Sequence, residues 1–246
     1  MKSPKVAATQ AFLAVTHFSH KVRRSCTVTF EGGDRSTYDL VVGADGVRSS
    51  VRSILVSKQT LRFTGFACWR FITANTAGIK DWTVMLGGDR TLLAIPVSET
   101  DVYVYADLIA KDGRAAENID TPLQYLFGAF EGPVVPLLAA VDQGADVHRG
   151  RLEEVELSRW VMGRTVLIGD AAHASSPSMA EGAGMALEDA IVLADELEQC
   201  RDVDAALQKF QKKRRPRAGW VQAQARTRDN ARRLPKYARN AIMMAF

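Results

Sequence analysis

Apolar and polar residues alternate along CTVTFEGG, Cys26 to Gly33, and then give way to a more continuous apolar run in TYDLVVGADG, Thr37 to Gly46. A period of two predicts a half-buried strand, the Gly32-Gly33 pair a tight turn, and the second run a strand buried on both faces and ending in a loop. Strands covered on both sides are the habit of a parallel sheet in an α/β domain. Between residues 61 and 110 the pattern changes: LRFTGFACWRFIT, DWTVMLGG, RTLLAIPV and DVYVYADLI are β-rich runs at meander spacing, and they predict an antiparallel sheet. A helix is expected over about Pro122 to Ala140, broken near Gly132-Pro133, then a charged loop to Trp160 and a return to the apolar strand TVLIGD. MALEDAIVLADELEQC places Ala186, Ile191, Leu193, Ala194 and Leu197 at near-helical spacing. A last helical stretch, DAALQKFQKKRRPRAGWVQAQARTRDNARRL, is expected to be interrupted or bent at Pro216.

At 246 residues and 47% hydrophobic, the chain can bury one large core or two modest ones. Cys26, Cys68 and Cys200 share no C-x-x-C spacing, and with His17, His20, His148 and His173 they form neither a zinc pattern nor a disulfide framework. A reduced cytoplasm fits that usage. No run approaches the roughly 20 apolar residues of a membrane span, so no integral membrane segment is expected, and MKSPKVAATQAFLAV lacks a signal-peptide cleavage pattern. The net charge of +4 is uneven: residues 201–246 hold 13 Lys/Arg against 3 Asp/Glu, which makes the tail +10 and the rest −6. KKRRPR, Lys212 to Arg217, lies between Phe210 and Trp220 and matches no nucleic-acid module, so it reads as a solvated helix face with no nucleic acid as partner.

Two stretches carry chemistry. In GDAAH-(x)3-P-(x)4-G-A-G a strand ends at Gly169-Asp170 and a helix begins near Gly182. Ligands of open α/β sheets sit beyond the carboxyl ends of strands, where Asp170 can accept hydrogen bonds from a sugar or polyol hydroxyl. Gly182, Ala183 and Gly184 would let a planar or anionic group approach the free N–H groups of the helix start, and the helix dipole adds about 0.3 to 1 kcal/mol for negative charge there. The same residues also fit a Gly-rich turn with Asp170 as a cap. In DLVVGADGVRSSVR, Asp39 to Arg52, Asp45 could hold water or a ribose near a diphosphate whose charge the arginines offset. Taken alone, that stretch reads equally as a structural turn.

In this order, with a β-rich insertion between them, the two stretches resemble the flavoprotein aromatic hydroxylases, the single-component FAD-dependent monooxygenases of the p-hydroxybenzoate and salicylate hydroxylase type. DLVVGADGVRSSVR is similar to that family's DG motif, GRTVLIGDAAH to its GD motif, and SPSMAEGAGMALEDAIVLADEL to its flavin-facing loop and helix; the similarity runs from about His17 to Arg233. The resemblance implies an α/β fold, with an FAD-binding Rossmann-like domain of the glutathione-reductase type, N-terminally incomplete, at residues 1–58 and 151–246. An antiparallel substrate-binding sheet at 59–150 is inserted into it, and helices close the C-terminus. As the resemblance has it, Gly169 and Asp170 bind FAD, with Asp170 on the ribityl chain. Pro177 borders the isoalloxazine ring, and Gly182, Ala183 and Gly184 offer N–H groups to its N1/C2=O edge. Asp45 lies near the pyrophosphate and helps communicate with NAD(P)H, and Arg52 supports that motif.

The implied activity is hydroxylation of a small aromatic substrate with O2 and NAD(P)H, through a flavin C4a-hydroperoxide. The cofactor carries the chemistry, so no side-chain nucleophile is needed, and none is found. Two rival readings share the motifs: an FAD-dependent isoprenoid epoxidase or reductase, and a flavin-free remnant or subunit.

The family begins with a βαβ unit carrying G-x-G-x-x-G, whereas the first 35 residues here offer only Gly32 and Gly33. The missing first strand is expected beside TVLIGD, which would leave an apolar sheet edge. A late gene start, a truncation and an N-terminal half supplied by another chain each account for the difference; the partners expected are therefore that half or a second copy. Met185 stands where many relatives carry Asn. Structural roles are expected for His173, packing or bonding to backbone, and for Glu188 and Asp189, complementing the helix dipole. Arg70 is expected on an exposed strand face.

Overall fold

The computed structural model describes residues 15–22, 25–56, 61–110, 121–142, 146–235 and 238. Contacts among them form two units. The first draws on Met1–Leu61, Val155–Ser175 and Ala180–Val221, the second on Arg62–Glu154, Ser176–Met179 and Gln222–Phe246.

In the first unit, β1 (Val15–Val22), β2 (Ser25–Phe30) and β3 (Arg35–Tyr38) form an antiparallel sheet in that order. The turn between β2 and β3 places Gly32 at φ 99° and Gly33 at φ 91°, a region glycine enters without a Cβ penalty. The run expected as one strand is two. After Asp39 and Leu40 the chain leaves that sheet, and β4 (Val41–Gly43) pairs in parallel with β11 (Thr165–Leu167), whose other edge takes the antiparallel β10 (Val161–Met162). Val42 is 41% exposed, so β4 is not covered on both faces; among the described residues it is an edge strand. Both edges of β11 are occupied, so the apolar edge expected beside TVLIGD lies at β4 instead.

Helices α1 (Ser50–Leu55), α4 (Asp170–His173), α5 (Gly182–Gln199) and the Val203–Val221 part of α6 (Val203–Arg232) complete this unit. Val51, Leu167, Ala171, Met185, Leu193, Leu207 and Phe210 form its core, each large side chain contributing about 1.5 to 3 kcal/mol. The buried stripe of α5 is Met185, Asp189, Leu193 and Glu196, whereas Ile191 is 62% exposed. Apolar spacing alone misreads this face because two of its members are carboxylates, neutralised by Arg214 and by Lys213. Helix α6 continues through Pro216, which is exposed, while Arg214 and Ala218 on either side are buried. The missing N–H of the proline therefore falls on the solvent side, and packing of the flanking turns holds the helix. Arg214 also departs from the solvated-face expectation for KKRRPR.

The second unit is a five-stranded sheet ordered β6 (Thr83–Gly87), β7 (Arg90–Pro96), β8 (Asp101–Ile109), β5 (Leu61–Ala74) and β9 (His148–Val155). β6, β7 and β8 form the expected meander, but β5 pairs with β8, from Phe66 opposite Ile109 to Ala74 opposite Asp101. The connection 75–82 that permits this is folded by Asn75, whose side chain bonds both the N–H and the C=O of Ile79 at 2.8 Å. β9, expected as a charged loop, is a strand because its charges find partners: Arg151 lies 4.2 Å from the Phe63 ring centroid, and buried Glu154 accepts from Arg226. Trp69, Leu92, Val104 and Phe127 of α2 (Leu123–Phe127) centre the core, which α3 (Val135–Asp142) also covers. Among the described residues no helix is long and apolar enough to cross a membrane.

Candidate functional site

The GD stretch is held in a conformation only glycine adopts readily. Gly169 follows β11 at φ 56°, ψ −143°, and caps the single turn α4, so Asp170 starts a helix rather than ending a strand. A Cβ at Gly169 would also come within 3.1 Å of the Ala186 Cβ. Gly169→Ala is expected to lose about 1 to 3 kcal/mol in urea unfolding; wild-type stability would be the contrary result.

What pins Gly169 is Asp189, fully buried on α5. Its Oδ2 accepts from the Gly169 N–H at 2.8 Å and lies 2.7 Å from His173 Nε2, while its Oδ1 accepts from Arg214 Nε at 2.7 Å. Arg214 also donates to Glu188 and to the Met185 carbonyl, and the Trp160 ring lies 4.9 Å from that of His173. Burial pushes the Asp189 carboxyl up, but the bonds from His173, Arg214 and Gly169 and the charge of His173 outweigh it and hold the group below its ordinary value. His173 thus packs against Trp160, as expected, and also bonds a buried carboxylate. Asp189 is a buried tie, not a dipole partner. A carboxylate in phase with Met185 and Leu193 was the signal in the sequence that could have found it.

The DG stretch is organised around α1. Asp45 is exposed and accepts from Ser49 Oγ at 2.5 Å and from the Val51 N–H at 3.1 Å, while Ser49 caps α1 by accepting from the Arg52 N–H. The Arg52 side chain, 2% exposed, donates to the Val47 carbonyl at 2.6 Å and to the Ala171 carbonyl at 3.0 Å. It therefore fastens the DG loop to the turn that carries Asp170. Gly43 permits the same approach from the strand side, since a Cβ there would meet Leu167 Cδ2 at 2.7 Å and Val51 Cγ1 at 2.8 Å.

Facing Asp170 is the start of α5. Gly182, Ala183 and Gly184 are exposed, and the capping residue Glu181 makes no side-chain bond to them; its carboxylate pairs with Arg217 at 3.4 Å. A Cβ at Gly184 would meet nothing within 4 Å, and one at Gly182 would meet only Asp170 Oδ1, at 4.0 Å. An open helix start carries partial positive charge and free N–H groups. Beside an exposed carboxylate, it fits a group that presents both a polyol chain and a hydrogen-bond-accepting edge, as a flavin does. Asp45, Arg52, Gly169, Asp170, Gly182, Ala183 and Gly184 all fall in the first unit, whereas Pro177, exposed at the start of the 3₁₀ turn Pro177–Met179, falls in the second. Arg70 is exposed on β5.

A sequence profile described as an FAD binding domain matches residues 5–225. The chain is 38% identical over 177 residues to 2-heptyl-3-hydroxy-4(1H)-quinolone synthase of Pseudomonas aeruginosa, covering 68% of this chain and 45% of that protein. It is 32% identical over 210 residues to the FAD-dependent urate hydroxylase of Klebsiella pneumoniae, covering 82% and 54%. The crystal structure of Klebsiella pneumoniae HpxO complexed with FAD and uric acid superposes with a TM-score of 0.82 at 28% identity, over 94% of this chain and 61% of that one. The chain spans about half the length of the curated relatives it matches.

Proposed function

The chain belongs to the FAD binding domain family, and from that membership we propose that it is the cofactor-contacting and substrate-covering part of an NAD(P)H-dependent monooxygenase that hydroxylates a small aromatic compound. The observation that carries the reading is the open start of α5 beside Asp170, with Gly169 held behind it by buried Asp189. In this reading Asp170 accepts from the ribityl hydroxyls, and the N–H groups of Gly182, Ala183 and Gly184 face the acceptor edge of the ring. Asp45 and Arg52 maintain the loop nearest the diphosphate, and the antiparallel sheet of residues 61–110 is the substrate-binding part.

Bound FAD, reduced by NAD(P)H, supplies the oxygen-activating chemistry, and the protein supplies binding, orientation and exclusion of water. The balance is one ring C–H, O2, NAD(P)H and a proton giving C–OH, water and NAD(P)+. The names of the relatives, a urate hydroxylase and a 3-hydroxyquinolone synthase, support an electron-rich ring as substrate.

The test is an FAD titration of the purified protein, followed by NAD(P)H oxidation with a panel of phenols and nitrogen heteroaromatics. Uptake of FAD is expected, with oxidation stimulated by an aromatic compound and a hydroxylated product. Asp170→Ala removes hydrogen bonds to a charged acceptor worth about 1.5 to 3 kcal/mol, so FAD should bind about ten- to a hundredfold more weakly. A protein indifferent to FAD, or an Asp170→Ala variant with undiminished affinity, would sink the assignment.

A further inference from the structure

We infer that the open face of the five-stranded sheet binds an aromatic compound with an anionic ring substituent and an alkyl chain. Arg70 takes the anionic group, the Tyr105 ring the aromatic body, and the aliphatic edge at Val84 and Leu86 the chain. The inference rests on the reading of residues 61–110 as the substrate-binding part and names the class of compound that part selects.

Strand register divides the sheet into two faces. Trp69, Leu92 and Val104 lie on the face that shares a core with α2 and α3. On the opposite face Arg70 of β5 stands beside Tyr105 of β8, Tyr105 beside Leu93 of β7, and Leu93 beside Val84 of β6, one unbroken row across the four strands. With neighbouring strands about 4.8 Å apart, the row is about 14 Å long. It runs from a cation through a phenol to aliphatic side chains. Leu86, opposite Thr91, and Ile72, opposite Tyr103, flank it. Val84 is 52%, Leu86 45% and Ile72 60% exposed, and apolar side chains left open together on one face mark a binding surface.

The part of α6 in this unit closes one end of that face. Arg232 donates to both carboxylate oxygens of buried Asp107 and lies 4.6 Å from the Phe66 ring centroid. Tyr105 in turn donates its hydroxyl to Asp107 at 2.8 Å. Asp107 follows on the same face of β8, so the Tyr105 ring is held along the strand with its polar end satisfied, and what it offers a ligand is an aromatic surface. Arg70 is exposed and, among the described residues, makes no hydrogen bond or ion pair. Its planar fork matches a carboxylate or a ring oxyanion. The same cation argues against a second copy of the chain as the occupant, because a self-paired face would bury Arg70 uncompensated.

Calorimetric titration of the purified protein with 4-alkylbenzoates, from methyl to hexyl, tests the face with and without FAD. Affinity should rise about two- to fourfold with each added methylene, according to whether one side or all of it is buried. Matched 4-alkylbenzylamines, which carry a cation, should bind about tenfold more weakly or worse. Arg70→Gln should weaken every benzoate about tenfold and leave the gain per methylene intact. Val84→Asn combined with Leu86→Asn should do the reverse, keeping methylbenzoate binding and losing the gain; an unchanged urea midpoint checks that each variant folds. Equal affinity for acids and amines, or a gain that survives in the Val84 and Leu86 double variant, overturns the inference as unspecific adsorption. Self-association that the double variant abolishes, with no gain per methylene, assigns the face to a second copy and overturns it too. If the protein takes up FAD and hydroxylates an aromatic compound but binds hexyl- and methylbenzoate alike, the proposed function stands and the alkyl site fails. If it ignores FAD yet shows the gain and the Arg70 dependence, the monooxygenase reading fails and the ligand face stands.

Discussion

Asp189→Ala is expected to destabilise the protein by about 3 to 5 kcal/mol, measured as a fall in the urea unfolding midpoint, because it leaves buried charge uncompensated. The substitution strips Arg214 of its buried partner, the Gly169 N–H of its acceptor and His173 of its bond at one stroke. Glu188 and the Met185 carbonyl remain to Arg214, which sets the estimate short of total loss of the fold. The effect also carries a pH signature. The folded Asp189 carboxyl is held below its ordinary value, so the stability it contributes is present above the unfolded value of about 4 and disappears as pH falls through the lower, folded one. The stability gap between wild type and Asp189→Asn should accordingly be full at neutral pH and close in acid; a gap constant down to strongly acidic pH would refute the role assigned to its charge. Because Gly169 directly precedes Asp170, FAD affinity should fall along with stability.

The parts of this fold legible in the sequence are those whose chemistry is local. The Gly32-Gly33 turn, the strand leading into Gly169 and the helix starting at Gly182 each depend on neighbours a few residues away, and each lies where the pattern predicts. What escaped is non-local. Arg214 lies 25 positions from Asp189, and Arg52 lies 119 from Ala171, so neither pairing leaves a mark in periodicity. The misread face of α5 has the same origin, since Asp189 and Glu196 count as polar in any pattern yet are buried with distant cations. The register of β5 against β8 and the strand at His148–Val155 depend likewise on which edge of a sheet is free, which only the assembled sheet determines.

Arg52→Met tests whether the two motif loops are one unit. Methionine keeps most of the side-chain volume, so the change isolates the guanidinium, whose bonds to the Val47 and Ala171 carbonyls are lost. Charge-assisted bonds of this type contribute about 1.5 to 3 kcal/mol each, and relief from burying a cation returns part of that. The expected net loss is about 2 to 4 kcal/mol in urea unfolding. Hydrogen exchange should quicken in both residues 44–49 and residues 170–174, which a defect confined to α1 would not produce. Arg52→Lys sharpens the test, because a lysine retains the charge but has no planar fork to bridge two carbonyls; it should recover only part of the loss. Quickening restricted to residues 44–49 would mean that the GD turn is set by Asp189 alone. Quickening of both segments would mean that Asp170 is positioned from two sides, from α5 through Gly169 and from α1 through Ala171.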